Sequence, residues 1–215
     1  MPSDLTTLFY PASVAVIGAS RSPEKLGSII LKNIIESGYR GEVYPINPHA
    51  EEINGLKAYA EVQQLPDIPE LIIVAVPSEI VVQEVEQAGE KGVKNAVVLS
   101  AGFKEIGPEG EKLEKDLIAA AKKYDINLLG PNCLGFVSKL APINATFGEP
   151  VNEVGNLRFI TQSGAIAASL FDWCNSNDVG ISEFVTLGNK AGLNENDILH
   201  YFYPQSQNTL TDHNG

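Results

Sequence analysis

Residues 13–30, SVAVIGASRSPEKLGSII, hold the first arrangement in the chain suited to chemistry. Val14, Ala15, Val16 and Ile17 read as a buried strand. Gly18, Ala19 and Ser20 read as a small-residue turn, and a helix pattern begins near Lys25. Strand, tight turn and helix together aim backbone N–H groups and a helix N-terminus at an anion. Arg21 and Lys25 lie between strand and helix, where a cation can meet a phosphate. The plainer alternative is an ordinary βα turn carrying solvated charges. The turn is not the dinucleotide fingerprint G-x-G-x-x-G, because Ala19 and Ser20 follow Gly18, and no G-x-x-x-x-G-K-[ST] occurs. An NAD(P)-linked oxidoreductase would call for an acidic residue after the second strand, where the chain has Asn47-Pro48.

The other reactive side chains carry weaker signals. His49 follows Asn-Pro in a loop, His200 sits beside Tyr201 and Phe202 on a helix, and His213 is in the polar tail. Cys133 follows a strand in a glycine-rich stretch, but no histidine is placed to act as its base, so it reads as a buried thiol. Cys174 beside Trp173 reads as a helix core residue. Two cysteines make neither a disulfide framework nor a zinc spacing, and they predict reduced thiols in a cytoplasmic protein. The first residues show no basic start and no continuous apolar segment of a signal peptide. No apolar run approaches the roughly 20 residues that span a bilayer.

The elements that position these residues follow from periodicity. The chain has 215 residues, 44% of them hydrophobic, enough for a substantial core. Strands are expected at 13–18, 42–46, 71–76, 95–99 and 126–129. Helices are expected at about 25–37, from 78 to about 91, and from Pro108 to about Tyr124. The continuous run LIIVAV at 71–76 suits a central parallel strand. Regular alternation predicts right-handed βαβ units and a parallel sheet covered by helices on both faces. From 137 to 156 the pattern lapses at Pro142, Asn144, Gly148, Pro150, Asn152 and Gly155, which reads as a linker or ordered loop. A second unit follows: strand 157–161, turn Gln162-Ser163-Gly164, helix from Ala165 to about Asn177, strand 182–187 and helix 194–203. The polar end reads as frayed. Two strands and two helices cannot cover both faces of a sheet, so they predict the first part of a larger domain. The expected fold class is α/β: a Rossmann-like parallel sheet over 1–140, a linker at 141–156, and an incomplete flavodoxin-like α/β domain over 157–215.

Three stretches occur together: GASRSPEKLG at 18–27, GPNCLG at 130–135 and TQSGA at 161–165. In order and spacing the chain resembles the NDP-forming acyl-CoA synthetases, which include the ADP-forming acetate–CoA ligases and, more distantly, the succinyl-CoA synthetase α subunit. The resemblance covers about residues 8–203. It implies a CoA-binding first domain, with CoA phosphates near Gly18, Ala19, Ser20 and Arg21 and with Lys25 as a cation for the pyrophosphate or 3′-phosphate. It places the adenosine end by Asn47 and Pro48, the next cleft edge at Val76, Pro77 and Ser78, and the nucleotide or pantetheine along Ser100, Ala101 and Gly102. Asn132 would bond the acyl or phosphate group near the CoA thiol. Ser163, Gly164 and Ala165 would open the helix whose N-terminus faces a phosphohistidine.

The resemblance also implies a reaction: acyl-CoA and phosphate give acyl phosphate, a histidine takes the phosphoryl group, and an NDP accepts it on an ATP-grasp domain. None of the three histidines matches that histidine's position. ATP, ADP and Mg would belong to an ATP-grasp β subunit or fused domain, the implied partner. The expectation is therefore a CoA- or acyl-CoA-binding portion of an ADP-forming, acetate-type synthetase. The alternative is a non-catalytic CoA-binding or regulatory module, as in protein acyltransferases that carry this domain. A net charge of −12 argues against nucleic acid and against anionic membrane as partners. Apolar surface on an incomplete second domain would favour a homo-oligomer.

Overall fold

The computed structural model describes residues 4–149 and 153–211, with side chains described as far as Tyr203. After a single helical turn, α1 (Thr6–Phe9), the chain enters β1 (Ser13–Ile17), α2 (Leu26–Glu36) and β2 (Glu42–Ile46). A small hairpin, β3 (Glu52–Ile53) and β4 (Leu56–Lys57), precedes β5 (Leu71–Val74) and α3 (Ser78–Lys91). Next come β6 (Asn95–Val98), α4 (Pro108–Tyr124) and β7 (Asn127–Leu129). These strands form a five-stranded sheet of order β2-β1-β5-β6-β7, parallel throughout. The order reverses between β1 and β5, and the strand ends beside such a reversal form a crevice.

Side-chain alternation along β1 divides the core. Ala15 and Ile17 face α3 and α4, packing with Ile72, Val74, Val81, Val85 and Leu117. Val14 and Val16 face the other way, towards Ile30, Leu31 and Ile34 of α2. Helix α4 packs one face on the Ala15 and Ile17 side of the core. Leu117 and Ala121 are buried, Leu113 and Tyr124 are half-buried against the same cluster, and Glu114 is buried as well.

The second half departs from the expectation of two parallel strands. A four-stranded mixed sheet, β10-β11-β8-β9, includes two strands that the sequence did not announce. They are β8 (Gly135–Ser138) and β9 (Ile143–Thr146), an antiparallel pair within the stretch where the pattern lapses. β9 lies inside 141–156, where the sequence pattern predicts a linker. β10 (Leu157–Thr161), α5 (Gly164–Ser176) and β11 (Ile181–Thr186) follow, with β10 and β11 parallel and β11 antiparallel to β8. The last helix, α6 (Glu195–Thr211), continues through the polar stretch expected to fray. His213 lies outside the described residues.

The second sheet takes the place of a helix layer. Phe136, Ile143, Ala145, Val185 and Leu187 share one buried cluster with Val14, Val16 and α2, together with Phe9 of α1 and Phe202 of α6. One face of the first sheet therefore carries helices, and the other carries α2 and the second sheet. The far face of the second sheet packs Val137 and Phe184 against Ala167, Phe171 and Cys174 of α5.

Candidate functional site

All five strands of the first sheet point the same way, so the turns that follow them share one edge. In spatial order they carry Asn47-Pro48, Gly18–Arg21, Val76–Ser78, Ser100–Gly102 and Gly130–Asn132. The edge crosses four inter-strand spacings, about 19 Å, which suits an elongated ligand.

Neighbouring turns are tied together. The Asn47 amide donates to the Ala19 carbonyl (2.7 Å), and its Oδ1 accepts the His49 N–H (2.7 Å). Ser100 Oγ donates to the Val76 carbonyl (2.5 Å), and the Asn132 N–H donates to the Ser100 carbonyl (2.9 Å). Two glycines make the first turn possible. Gly18 has φ +90°, and a Cβ there would lie 2.4 Å from the Ala75 carbonyl oxygen of the neighbouring strand. Gly27, in the first turn of α2, packs on that same turn, and a Cβ on it would lie 2.0 Å from the Gly18 oxygen. The helix thus starts directly on the Gly18 loop, and no side chain caps its N-terminus. Ala19 and Ser20 are buried, whereas Arg21 and Lys25 are exposed and have no ion-pair partner among the described residues.

A cavity of about 890 Å³ opens where this edge meets the second sheet. Ser100, Ala101 and Asn132 line it from one side, and Ser163 and Gly164 at the start of α5 from the other. Both strand–turn–helix junctions reach this space, the one after β10 through Ser163 and Gly164 and the one after β1 through Leu26, the first residue of α2, whereas the Gly18–Arg21 turn itself does not line it. Ser163 caps α5, its Oγ accepting the Ile166 N–H (3.3 Å), and a Cβ on Gly164 would meet nothing within 4 Å. Free N–H groups and the positive end of the helix dipole favour a phosphoryl group there without a cation.

Asn47 and Pro48 line a different cavity, of about 720 Å³, together with His49, Lys57 and Gln64. Gly18, Ala19, Ser20, Arg21, Lys25, Val76, Pro77, Ser78, Gly102 and Ala165 line neither cavity. His200 is exposed on α6, and neither it nor His49 lines the cavity at Ser163. Gly102 is not an open amide: its N–H (2.6 Å) and that of Phe103 (3.1 Å) both donate to Glu105 Oε1. Burial pushes the Glu105 carboxyl up. The hydrogen bonds from Asn189, Gly102 and Phe103 outweigh that and hold it below its ordinary value.

Cys133 lines the 890 Å³ cavity but is 4% exposed, and its Sγ lies 3.4 Å from the Val98 carbonyl. Burial pushes its thiol up to about 12, so it is a wall of the cavity and not a nucleophile. The sequence reading missed Phe147 and Glu149, which also line this cavity, as does Gln162 of the TQSGA motif. A large apolar residue beside Gly148 in a proline- and glycine-rich stretch was the available signal for Phe147.

The comparisons with known proteins agree with this architecture. Residues 12–139 match the family described as CoA binding domain, and residues 154–210 match the succinyl-CoA ligase like flavodoxin domain. An acetate–CoA ligase (ADP-forming) I of Archaeoglobus fulgidus is 46% identical over 194 residues, covering 90% of this chain and 28% of the relative. The α subunit of an acetate–CoA ligase (ADP-forming) I of Pyrococcus furiosus is 44% identical over 202 residues, 92% of this chain and 44% of the subunit. A solved dinucleotide-forming acetyl-coenzyme A synthetase 1 of Ca. Korarchaeum cryptofilum, in complex with phosphate and ADP, superposes with a TM-score of 0.89 at 44% identity. It covers 93% of this chain and 42% of that one. The chain thus spans less than half the length of these relatives. It belongs to the CoA binding domain family, is joined to part of a succinyl-CoA ligase like flavodoxin domain, and is homologous to the α subunits of ADP-forming acetate–CoA ligases.

Proposed function

We propose that the chain is the CoA- or acyl-CoA-binding portion of an ADP-forming acyl-CoA synthetase of acetate type. The whole enzyme would interconvert acyl-CoA, ADP and phosphate with acid, CoA and ATP. The observation that carries this reading is the shared cavity: the Ser100 and Asn132 turns line it together with the capped start of α5. A thioester or acyl phosphate entering from the first sheet's edge would meet a helix N-terminus suited to a phosphoryl group. In this reading the diphosphate lies at Gly18–Arg21 and Lys25, and the adenosine lies towards Asn47, Pro48 and the second cavity. The acyl end reaches Asn132, whose Oδ1 has no partner among the described residues. The phosphoryl-carrying histidine, the Mg-nucleotide and the ATP-grasp partner are supplied by residues other than these 215. We assign the regions 1–140 and 157–215 to CoA binding and to the phosphoryl-facing helix respectively.

Isothermal titration of the whole chain with CoA, dephospho-CoA and NAD tests the reading. CoA binds, dephospho-CoA binds more weakly, and NAD gives no heat. Reversing the exposed charge with Arg21→Glu weakens CoA about tenfold or more while leaving the melting temperature unchanged. Absence of CoA binding at millimolar ligand, or NAD binding equal to that of CoA, overturns it.

A further inference from the structure

The side chain of Asn189, in the turn between β11 and α6, joins groups that are distant in sequence. Its Nδ2 donates to Glu105 Oε2 (2.7 Å) and to Glu114 Oε2 (2.8 Å), and its Oδ1 accepts from Asn132 Nδ2 (3.3 Å). Ionised carboxylates only accept, so the two glutamates fix which way the amide points, and both of its donors are used. Its backbone is docked as well. The Asn189 N–H donates to the Pro131 carbonyl (2.8 Å), the Ala191 N–H donates to the Gly130 carbonyl (3.0 Å), and Lys104 Nζ donates to the Asn189 carbonyl (2.5 Å). Lys104 also pairs with the buried Glu114 carboxylate (3.0 Å), which balances its charge. Glu105 in turn accepts the Gly102 and Phe103 N–H groups, so Asn189 is one bond removed from the 100–103 turn.

We infer that Asn189 is a positioning residue of the CoA site, holding Asn132 directly and the Ser100–Gly102 turn through Glu105. The inference rests on the CoA reading above. Both turns follow strands of the first sheet, whereas Asn189 follows β11 of the second, so the amide ties the two sheets together behind the Asn132 wall of the cavity. Only a side chain with two donors and an acceptor meets all three partners. Aspartate would place a third carboxylate beside Glu105 and Glu114.

A double-mutant cycle in CoA affinity on the whole chain tests this. Asn189→Ala and Asn132→Ala each weaken CoA about tenfold, and Asn189→Asp weakens it more than Asn189→Ala. Combined with Asn132→Ala, Asn189→Ala adds about threefold at most. Full multiplication of the two effects, or unchanged affinity in Asn189→Ala, overturns the inference. Should Asn189→Ala fail to fold, Glu105→Gln serves instead, with a loss of CoA affinity of about threefold or more expected and no loss overturning it. If the unsubstituted chain binds no CoA, the CoA reading falls by itself. Positioning is then read from amide exchange, where Asn189→Ala must speed exchange at Gly102 and Asn132 about tenfold. Unchanged exchange overturns it.

Discussion

At the residue scale, the candidate rim depends on missing atoms as much as on present ones. Gly27→Ala would drive a methyl into the Gly18 carbonyl, 2.0 Å away, and backbone on both sides leaves nothing flexible to yield. The expected cost is about 1–3 kcal/mol of stability, with loss of CoA binding, measured by urea unfolding and titration. Gly164→Ala, whose Cβ meets nothing within 4 Å, should leave stability unchanged or raised by up to about 1 kcal/mol. A second prediction concerns pH. Glu105 is held below its ordinary 4.5, so its ionised form stabilises the folded chain above that value, and the stabilisation fades as pH falls through the lowered value. Glu105→Gln should therefore flatten the fall of melting temperature below pH 4.5, while the native chain shows the steeper fall. Gly27 was in view in the motif at 18–27, and Gly164 in the motif at 161–165. The Glu105 bond to Asn189 was not, because 84 residues separate the partners and nothing periodic links them.

At the element scale, the tie between the start of the chain and the second sheet is ionic as well as apolar. Arg158 of β10 pairs with Glu183 of β11 (2.6 Å), and Glu183 is 1% exposed. The Tyr10 hydroxyl donates to the same carboxylate (2.6 Å), and the Arg158 guanidinium reaches the Phe202 carbonyl of α6 (3.1 Å). Burial, helped by the nearby Glu183 carboxylate, pushes the Tyr10 phenol well above its ordinary value. Arg158→Met leaves a carboxylate buried without its charge partner and should cost about 3 kcal/mol in chemical denaturation. Adding Glu183→Gln should recover more than half of that. Full additivity of the two losses would show that the pair is not coupled. Strands β1, β2, β5 and β6 were legible because each is a run of apolar residues between turn signals. β8 and β9 were not, although they are as long as β5 and β6, because they are held by partners distant in sequence: β8 pairs with β11, and β9 pairs with β8 and packs on α2, which local periodicity does not register. Asn33 of α2 shows that packing directly, donating to the Thr146 (2.8 Å) and Gly148 (3.2 Å) carbonyls.

At the scale of the whole molecule, the two sheets share a core. Phe9 lies 5.2 Å from Phe136, 5.2 Å from Tyr201 and 5.7 Å from Phe202, so residues from both ends of the chain meet around one ring. A shared core predicts one cooperative unfolding transition, with far-ultraviolet circular dichroism and the emission of the single Trp173 coinciding. Two separated transitions would show that the sheets unfold independently. Phe9→Ala should lower the stability reported by both probes together, by about 3–5 kcal/mol. Among the described residues no helix is long and apolar enough to cross a membrane, and no cluster of His, Cys, Asp and Glu is arranged to hold a metal ion.

The amino-acid order by itself determined the parallel α/β class, the strand–turn–helix at Gly18, and the three motifs that mark the family. These are local properties: an apolar run, a small residue at a tight turn and a short spacing are all complete within a few dozen residues. Only the tertiary structure decided that Ser163 and Asn132 share a cavity, that the 141–156 stretch contributes a strand, and that Asn189 bonds Glu105, Glu114 and Asn132. Those depend on which strand lies beside which, and that is settled by burying apolar faces from both halves of the chain in one core.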